Sequence, residues 1–424
     1  MFDLRKWDLQ YYFYCGLCLF FIVFLFNFTI HDGSQISLLY FLFAIATPLI
    51  IIKKKIILDY KIISLICIPF FCISLSEIIL HQNNISDLKA LWVVDLAKDF
   101  SSQFIYMIFI VFLPTIIIFT KFKTTDFFRI LTCIIGISVL FNFYINVDLS
   151  FNRSLLIKKF APIILYDYGM IALSLLVLCY GLFLKNKYSY FVILLSLINI
   201  FLIIQHGSRG AWLGLPIAFL VIFYLYGKDY LKKLIFISCS CTILLLATLF
   251  LIPNAPVQNR LQDFHHDKQK IVQQHDFNSS IGTRLSLWHF SFEKFKESPL
   301  LGVGFVQFRE EVCQLHQQNK IGECTLHAHN VFLQILATQG IVGLFGILFL
   351  MLFPLAHFIK TIYNVSNHEL RLLCSAGISF IVYLILCSLT DFYFLLQPQT
   401  MLFFLIVSSI IILIRKIKID SQFA

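Results

Sequence analysis

Three short stretches hold residue types from which a reactive site could be built. His327-Ala328-His329-Asn330 stands directly before a long apolar run. Gln205-His206-Gly207-Ser208-Arg209-Gly210 separates two other apolar runs. Gly282-Thr283-Arg284 precedes an amphipathic stretch with Leu285, Trp288, Phe292 and Phe295 at helical spacing. The chemistry they point to is a proton acceptor working beside fixed cations. A histidine disfavoured as imidazolium by a positive helix end accepts a proton at neutral pH. Arginine suits phosphate because its planar fork carries permanently charged donors.

Each residue also has a plainer reading. Asn330 is expected to cap the helix that begins at Val331. Gly340, Gly343 and Gly346 recur every three residues, so that helix is expected to pack closely on a neighbour. His329 then stands at its mouth as the expected base, with His327 a supporting or incidental partner. Arg209 works against the usual charge bias of an outer connection; it is either a phosphate ligand or an anchor snorkelling to headgroups. Its flanking glycines, Gly207 and Gly210, would let backbone approach a ligand. Gly282-Thr283 reads as a cap, which would put Arg284 in a first helical turn among free amides; a solvated arginine is the alternative. His327 and His329 join His265, His266, His275, His289 and His316, but without the spacing of a zinc site, so no metal is expected. Walker and Rossmann fingerprints are absent from the sequence, and no cofactor is expected.

The elements that must position these residues are membrane helices. The chain is 59% hydrophobic and 13% charged, far from soluble proportions. Apolar runs long enough to cross a hydrocarbon core of about 30 Å recur at roughly 11–30, 36–52, 61–80, 103–120, 127–147, 161–184, 188–205, 210–226, 234–252, 329–352, 371–390 and 398–414. The expected fold is therefore all-α and polytopic, with about twelve transmembrane helices and a large, partly helical outer loop. The first run follows Arg5 and Lys6 and reads as a retained span. With an inner N-terminus, nineteen basic residues fall inside and six in the short outer connections. This asymmetry places both termini inside and 253–326 outside. The division is 1–252, 253–326 and 327–424. Residues 81–102 fit a helix lying in the interface, with Leu88, Leu91, Trp92 and Leu96 on one face.

The net charge of +10 is mostly this topology signal and gives no case for nucleic acid. The outer segment balances eight basic against eight acidic residues, so an anion site there needs particular residues. Cys313 and Cys324 lie in it, and a disulfide between them is left open by the sequence.

These features together resemble the O-antigen ligases, within the superfamily that also holds O-antigen polymerases and protein O-oligosaccharyltransferases. The signature is His, then Asn, Ser or Gln, nine residues, Gly, two residues, and Gly, Thr or Tyr; His329, Asn330, Gly340 and Gly343 satisfy it. Residues 200–345 carry most of the specificity. The resemblance implies a glycosyltransferase that moves glycan from undecaprenyl diphosphate to lipid A–core without ATP or metal. By the same resemblance it is expected to work on the periplasmic face of the bacterial inner membrane. By position, His329 is similar to the catalytic base, and Arg209 and Arg284 to the diphosphate pair, with Arg260 a lesser member. A polymerase or a protein oligosaccharyltransferase would use the same residues. A transporter, the reading from another class, would need charged groups near mid-membrane; Glu77 and Asp391 both fall near span ends.

Overall fold

A computed structural model describes residues 114–150, 152–160, 163–251, 279–318, 320–325, 327–364, 367–392 and 397–422. It also describes 59–65, 67–69, 71, 72 and the single residues 14, 16, 267, 271 and 273. The expected span at 36–52, all but residues 14 and 16 of that at 11–30, half of that at 61–80, most of that at 103–120, the interfacial stretch 81–102 and Arg260 lie outside the described residues.

All regular structure among the described residues is helical. The helices are α1 (Thr124–Asp148), α2 (Arg153–Lys159), α3 (Ile163–Phe183), α4 (Tyr188–Ile204), α5 (Arg209–Tyr226), α6 (Leu231–Leu251), α7 (Ser280–Glu297), α8 (Phe305–Gln317), α9 (Val331–Tyr363), α10 (His368–Ser388) and α11 (Gln397–Gln422). Six of these, α1, α3, α5, α9, α10 and α11, are long and apolar enough to cross a membrane.

Helix α3 is the axis of the bundle. Every residue from Tyr166 to Leu182 is buried, and α3 packs against α1, α4, α5 and α10. Where apolar packing gives little net drive between helices in lipid, polar contacts select the partner. Ser138 of α1 bridges Tyr166 of α3 at 2.7 Å and donates to Asn199 of α4 at 2.8 Å. Asn199 in turn donates to Ser174 of α3 at 2.9 Å. At the far end of α3, Lys233 donates to its final carbonyls and just beyond, Gly181, Leu182 and Leu184, which are the orphan acceptors of a helix C-terminus.

The glycines of α9 behave differently from the sequence expectation. Gly340 is not a packing glycine on a continuous helix: it has φ +61° and breaks α9 into two helical pieces. Residues 299–304 cross the break and satisfy its backbone. Val303 N–H donates to Ala337 and Gly304 N–H to Thr338, both at 2.9 Å, while Ile341 N–H donates to Pro299 at 2.9 Å. Backbone leaving helical geometry in an apolar setting must find such partners. The crossing is too close for side chains. A Cβ on Gly340 would lie 2.3 Å from the Leu300 carbonyl, and one on Gly302 would lie 2.3 Å from the Gln339 nitrogen. Gly343 clears the Gln339 side chain of its own helix, while Gly346 faces a second neighbouring segment, at Pro69 and Cys72. Gly340→Ala is therefore expected to destabilise the protein by about 2 kcal/mol or more through backbone strain and overlap. A melting temperature in detergent equal to wild type would refute this account of the break.

Between α6 and α9, the described part of the expected outer segment forms α7 and α8. They share a small core of Leu287, Phe308, Val312 and Ile321 with Ala328 and Ala337. A disulfide joins Cys313 to Cys324, with Cα atoms 4.5 Å apart.

Candidate functional site

Residues 327–330 link the α7–α8 unit to α9 and are fixed from three sides. Trp288 of α7 donates its indole N–H to the Ala328 carbonyl at 3.0 Å, and Ala328 N–H donates to Gln334 Oε1 at 2.7 Å. Asn330 caps α9, accepting from Leu333 N–H at 3.0 Å, and donates its amide to the Leu389 carbonyl at 2.9 Å. Held between these anchors, His329 has φ +50°. That conformation is uncommon outside glycine and persists only where the surroundings over-determine it.

His329 Nδ1 lies 3.3 Å from Asp391 Oδ1. The second carboxylate oxygen accepts from the Tyr168 hydroxyl at 3.3 Å, and Phe392 N–H reaches Oδ1 at 2.8 Å. Burial works to raise the pKa of Asp391, but the His329 hydrogen bond and charge, the Phe392 amide and His327 together bring it below the usual carboxylate value. In the tautomer that donates Nδ1–H to an ionised Asp391, the Nε2 of His329 carries the lone pair of a proton acceptor. The sequence reading placed only positive neighbours around His329; the charged group in contact is an anion. His327 stacks on Phe392 with centroids 5.2 Å apart, and its Nδ1 receives the His329 N–H at 3.4 Å. Burial first, then His329 and Arg284, pushes the His327 pKa down to about 4. It stays uncharged at neutral pH.

The two arginines come from distant parts of the chain and meet. Arg209, the first residue of α5, donates to Ser280 Oγ at 3.1 Å; Arg284 donates to the same oxygen at 3.0 Å. Asp267 stands 3.8 Å from Arg209. Arg284 and Trp288, four apart on α7, share a helical face. Trp288 touches the residue before His329, and the Arg284 charge is felt at His327. The geometry thus joins a histidine–carboxylate pair to two guanidinium groups.

Two local expectations need correction. Gly282-Thr283 is not the cap of α7. Ser279 is: its side chain accepts from Gly282 N–H at 3.2 Å, so Arg284 sits a turn deeper than the first-turn amides. Gly210 does not open backbone to a ligand. A Cβ there would fall 2.0 Å from the Tyr168 hydroxyl, so glycine makes room for that tyrosine.

His327, His329 and Asp391 place ligand atoms within 4.8 Å of one another, spacing that a divalent cation could bridge. The Nδ1 atoms of both rings and one carboxylate oxygen are engaged in hydrogen bonds within the group. Of the other histidines named from sequence, His316 bonds the Ile321 carbonyl at 3.0 Å, and His265, His266 and His275 lie outside the described residues.

Sequence reasoning treated Asp391 only as an acid near a span end, and it passed over Asp167, Tyr168 and Ser280. A carboxylate in an apolar run costs enough that it marks function or a strong partner. Asp167, in the otherwise uncharged span 163–183, carries that signal.

Residues 191–348 match the family model described as O-antigen ligase. The chain is also 28% identical over 234 residues to an uncharacterized protein of Haemophilus influenzae. That match covers 53% of this chain and spans 58% of the relative's length.

Proposed function

We propose, from the premise that residues 191–348 are a domain of the O-antigen ligase family, that this chain transfers a glycan from undecaprenyl diphosphate to a sugar hydroxyl of lipid A–core. Members of that family are glycosyltransferase-like enzymes. The observation that carries the reading is the convergence of Arg209 and Arg284 on Ser280, on a helix docked beside His329. A glycosyl diphosphate is already activated, so the enzyme must only deprotonate the acceptor and stabilise the leaving diphosphate. His329 Nε2 takes the hydroxyl proton as the oxygen attacks the anomeric carbon. The bond from that carbon to the diphosphate oxygen breaks, its electron pair leaves with the diphosphate, and Arg209 and Arg284 neutralise the added charge. Asp391 orients the imidazole. One direct displacement inverts the anomeric centre.

In this reading the chain sits in the bacterial inner membrane with about twelve spans and both termini in the cytoplasm. Residues 253–326 form a periplasmic loop domain, and Arg260 lies within reach of the diphosphate. No metal or cofactor takes part. The polar groups lie together at one end of the bundle, which favours an enzyme over a transporter.

The test offers purified protein a lipid-linked glycan with three acceptors in parallel: lipid A–core, a second lipid-linked glycan and a pilin-like peptide. Transfer to lipid A–core, with an inverted linkage by NMR and no loss in EDTA, is the expected result. Transfer only to a lipid-linked glycan or to the peptide would reassign the chain to polymerase or oligosaccharyltransferase. Inhibition by EDTA reversed by zinc would turn the His327–His329–Asp391 group into a metal centre.

A further inference from the structure

Asp167 and Tyr168 are neighbours in α3, the most enclosed helix of the bundle, and each reaches a different half of the site. The Asp167 side chain is wholly buried. One oxygen lies 2.6 Å from His206 Nδ1 and the other accepts the Ser208 hydroxyl at 2.5 Å. These two residues bracket Gly207, at φ +74°, so the carboxylate clamps both sides of the turn that delivers Arg209. The His206 carbonyl is held in addition by Arg153 at 2.6 Å. A buried carboxylate is tolerated only with such donors, and it fixes them in return.

One residue on, the Tyr168 ring is equally buried, and its hydroxyl donates to Asp391, whose other oxygen faces His329. To get there the hydroxyl occupies the space that a side chain at position 210 would fill, with Thr390 Oγ1 3.3 Å from the same point. Consecutive helical residues project about 100° apart, so one turn of α3 contacts both the start of α5 and the segment after α10.

We propose that the Asp167–Tyr168 pair is the positioning element that sets the His329–Asp391 pair and the Arg209 cation at a fixed separation. Tyr168 acts through Asp391, and Asp167 acts through the 206–208 turn. The inference rests on the assignment of His329 as base and Arg209 as diphosphate ligand.

The full-length chain in lipid nanodiscs provides the test, with Tyr168→Phe and Asp167→Asn. Affinity is read with undecaprenyl diphosphate lacking glycan, and turnover with the glycan-bearing donor. Tyr168→Phe is expected to keep affinity and melting temperature while turnover falls about ten- to a hundredfold, as for a slightly misplaced reacting group. In an Asp391→Asn background the same change should cost nothing further. Asp167→Asn is expected to weaken affinity about tenfold, with turnover at saturating donor less affected. If it does not fold, Ser208→Ala, which removes one clamped group, carries that arm. Wild-type turnover in Tyr168→Phe, or equal losses of affinity, turnover and melting temperature in both variants, would overturn the proposal. Should His329→Ala still turn over, the reading of the base fails separately, and unchanged affinity in Asp167→Asn then decides against the clamp.

Discussion

His329→Ala is expected to lower glycan transfer by roughly 10²–10⁴-fold, the contribution of a positioned general base, while affinity for the lipid diphosphate stays near wild type. The separation follows from the geometry. His329 contacts Asp391 and His327, whereas Arg209 and Arg284 are held at Ser280. Because the backbone at His329 has φ +50°, alanine adds strain there. His329→Asn is the better companion, since asparagine tolerates the left-handed region and offers no comparable base. Equal losses of turnover in both variants, with similar membrane levels, would isolate the imidazole as the cause. Asp391→Asn should lose less, because the ring remains and only its orientation and charge partner change. Retained turnover in His329→Asn, measured with purified protein and defined donor, would remove the residue from the chemistry.

How much of this could be read from sequence depended on whether the deciding contact was local. The long apolar helices α1, α3, α5, α9, α10 and α11 follow from apolar length alone. Asn330 as a cap follows from its residue type and the run behind it, because its partner Leu333 is three residues away. The break at Gly340 was hidden: the apolar pattern continues through it, and its cause is a strap at 299–304 about forty residues earlier. Asp391 and Tyr168 were missed for the same reason. Asp391 meets His329 across 62 residues and Tyr168 across 223, and no local pattern announces such pairs. Gly210 misled more subtly. Its lack of a side chain was correctly seen as space, but the occupant is a tyrosine from α3.

Arg209→Lys keeps the charge and is nevertheless expected to raise the KM for donor at least tenfold, with turnover reduced as well. A guanidinium can span two phosphate oxygens with parallel N–H groups, while an ammonium offers a single compact charge that must be shared. A hydrogen bond to a charged group is worth about 1.5–3 kcal/mol, and about 1.4 kcal/mol corresponds to each factor of ten. Arg284→Lys should behave alike. The double variant distinguishes one shared ligand from two independent roles. Both guanidiniums already converge on one hydroxyl, so if they grip one diphosphate, the second substitution should cost much less than the first. Ser280→Ala is the control: a serine that merely holds the arginines before donor arrives should change KM only about two- or threefold, near the small net worth of a hydrogen bond. Wild-type KM and turnover in Arg209→Lys would dismiss the phosphate role. Strictly additive losses would instead assign the two arginines to separate groups on the substrate, because coupling requires a common partner.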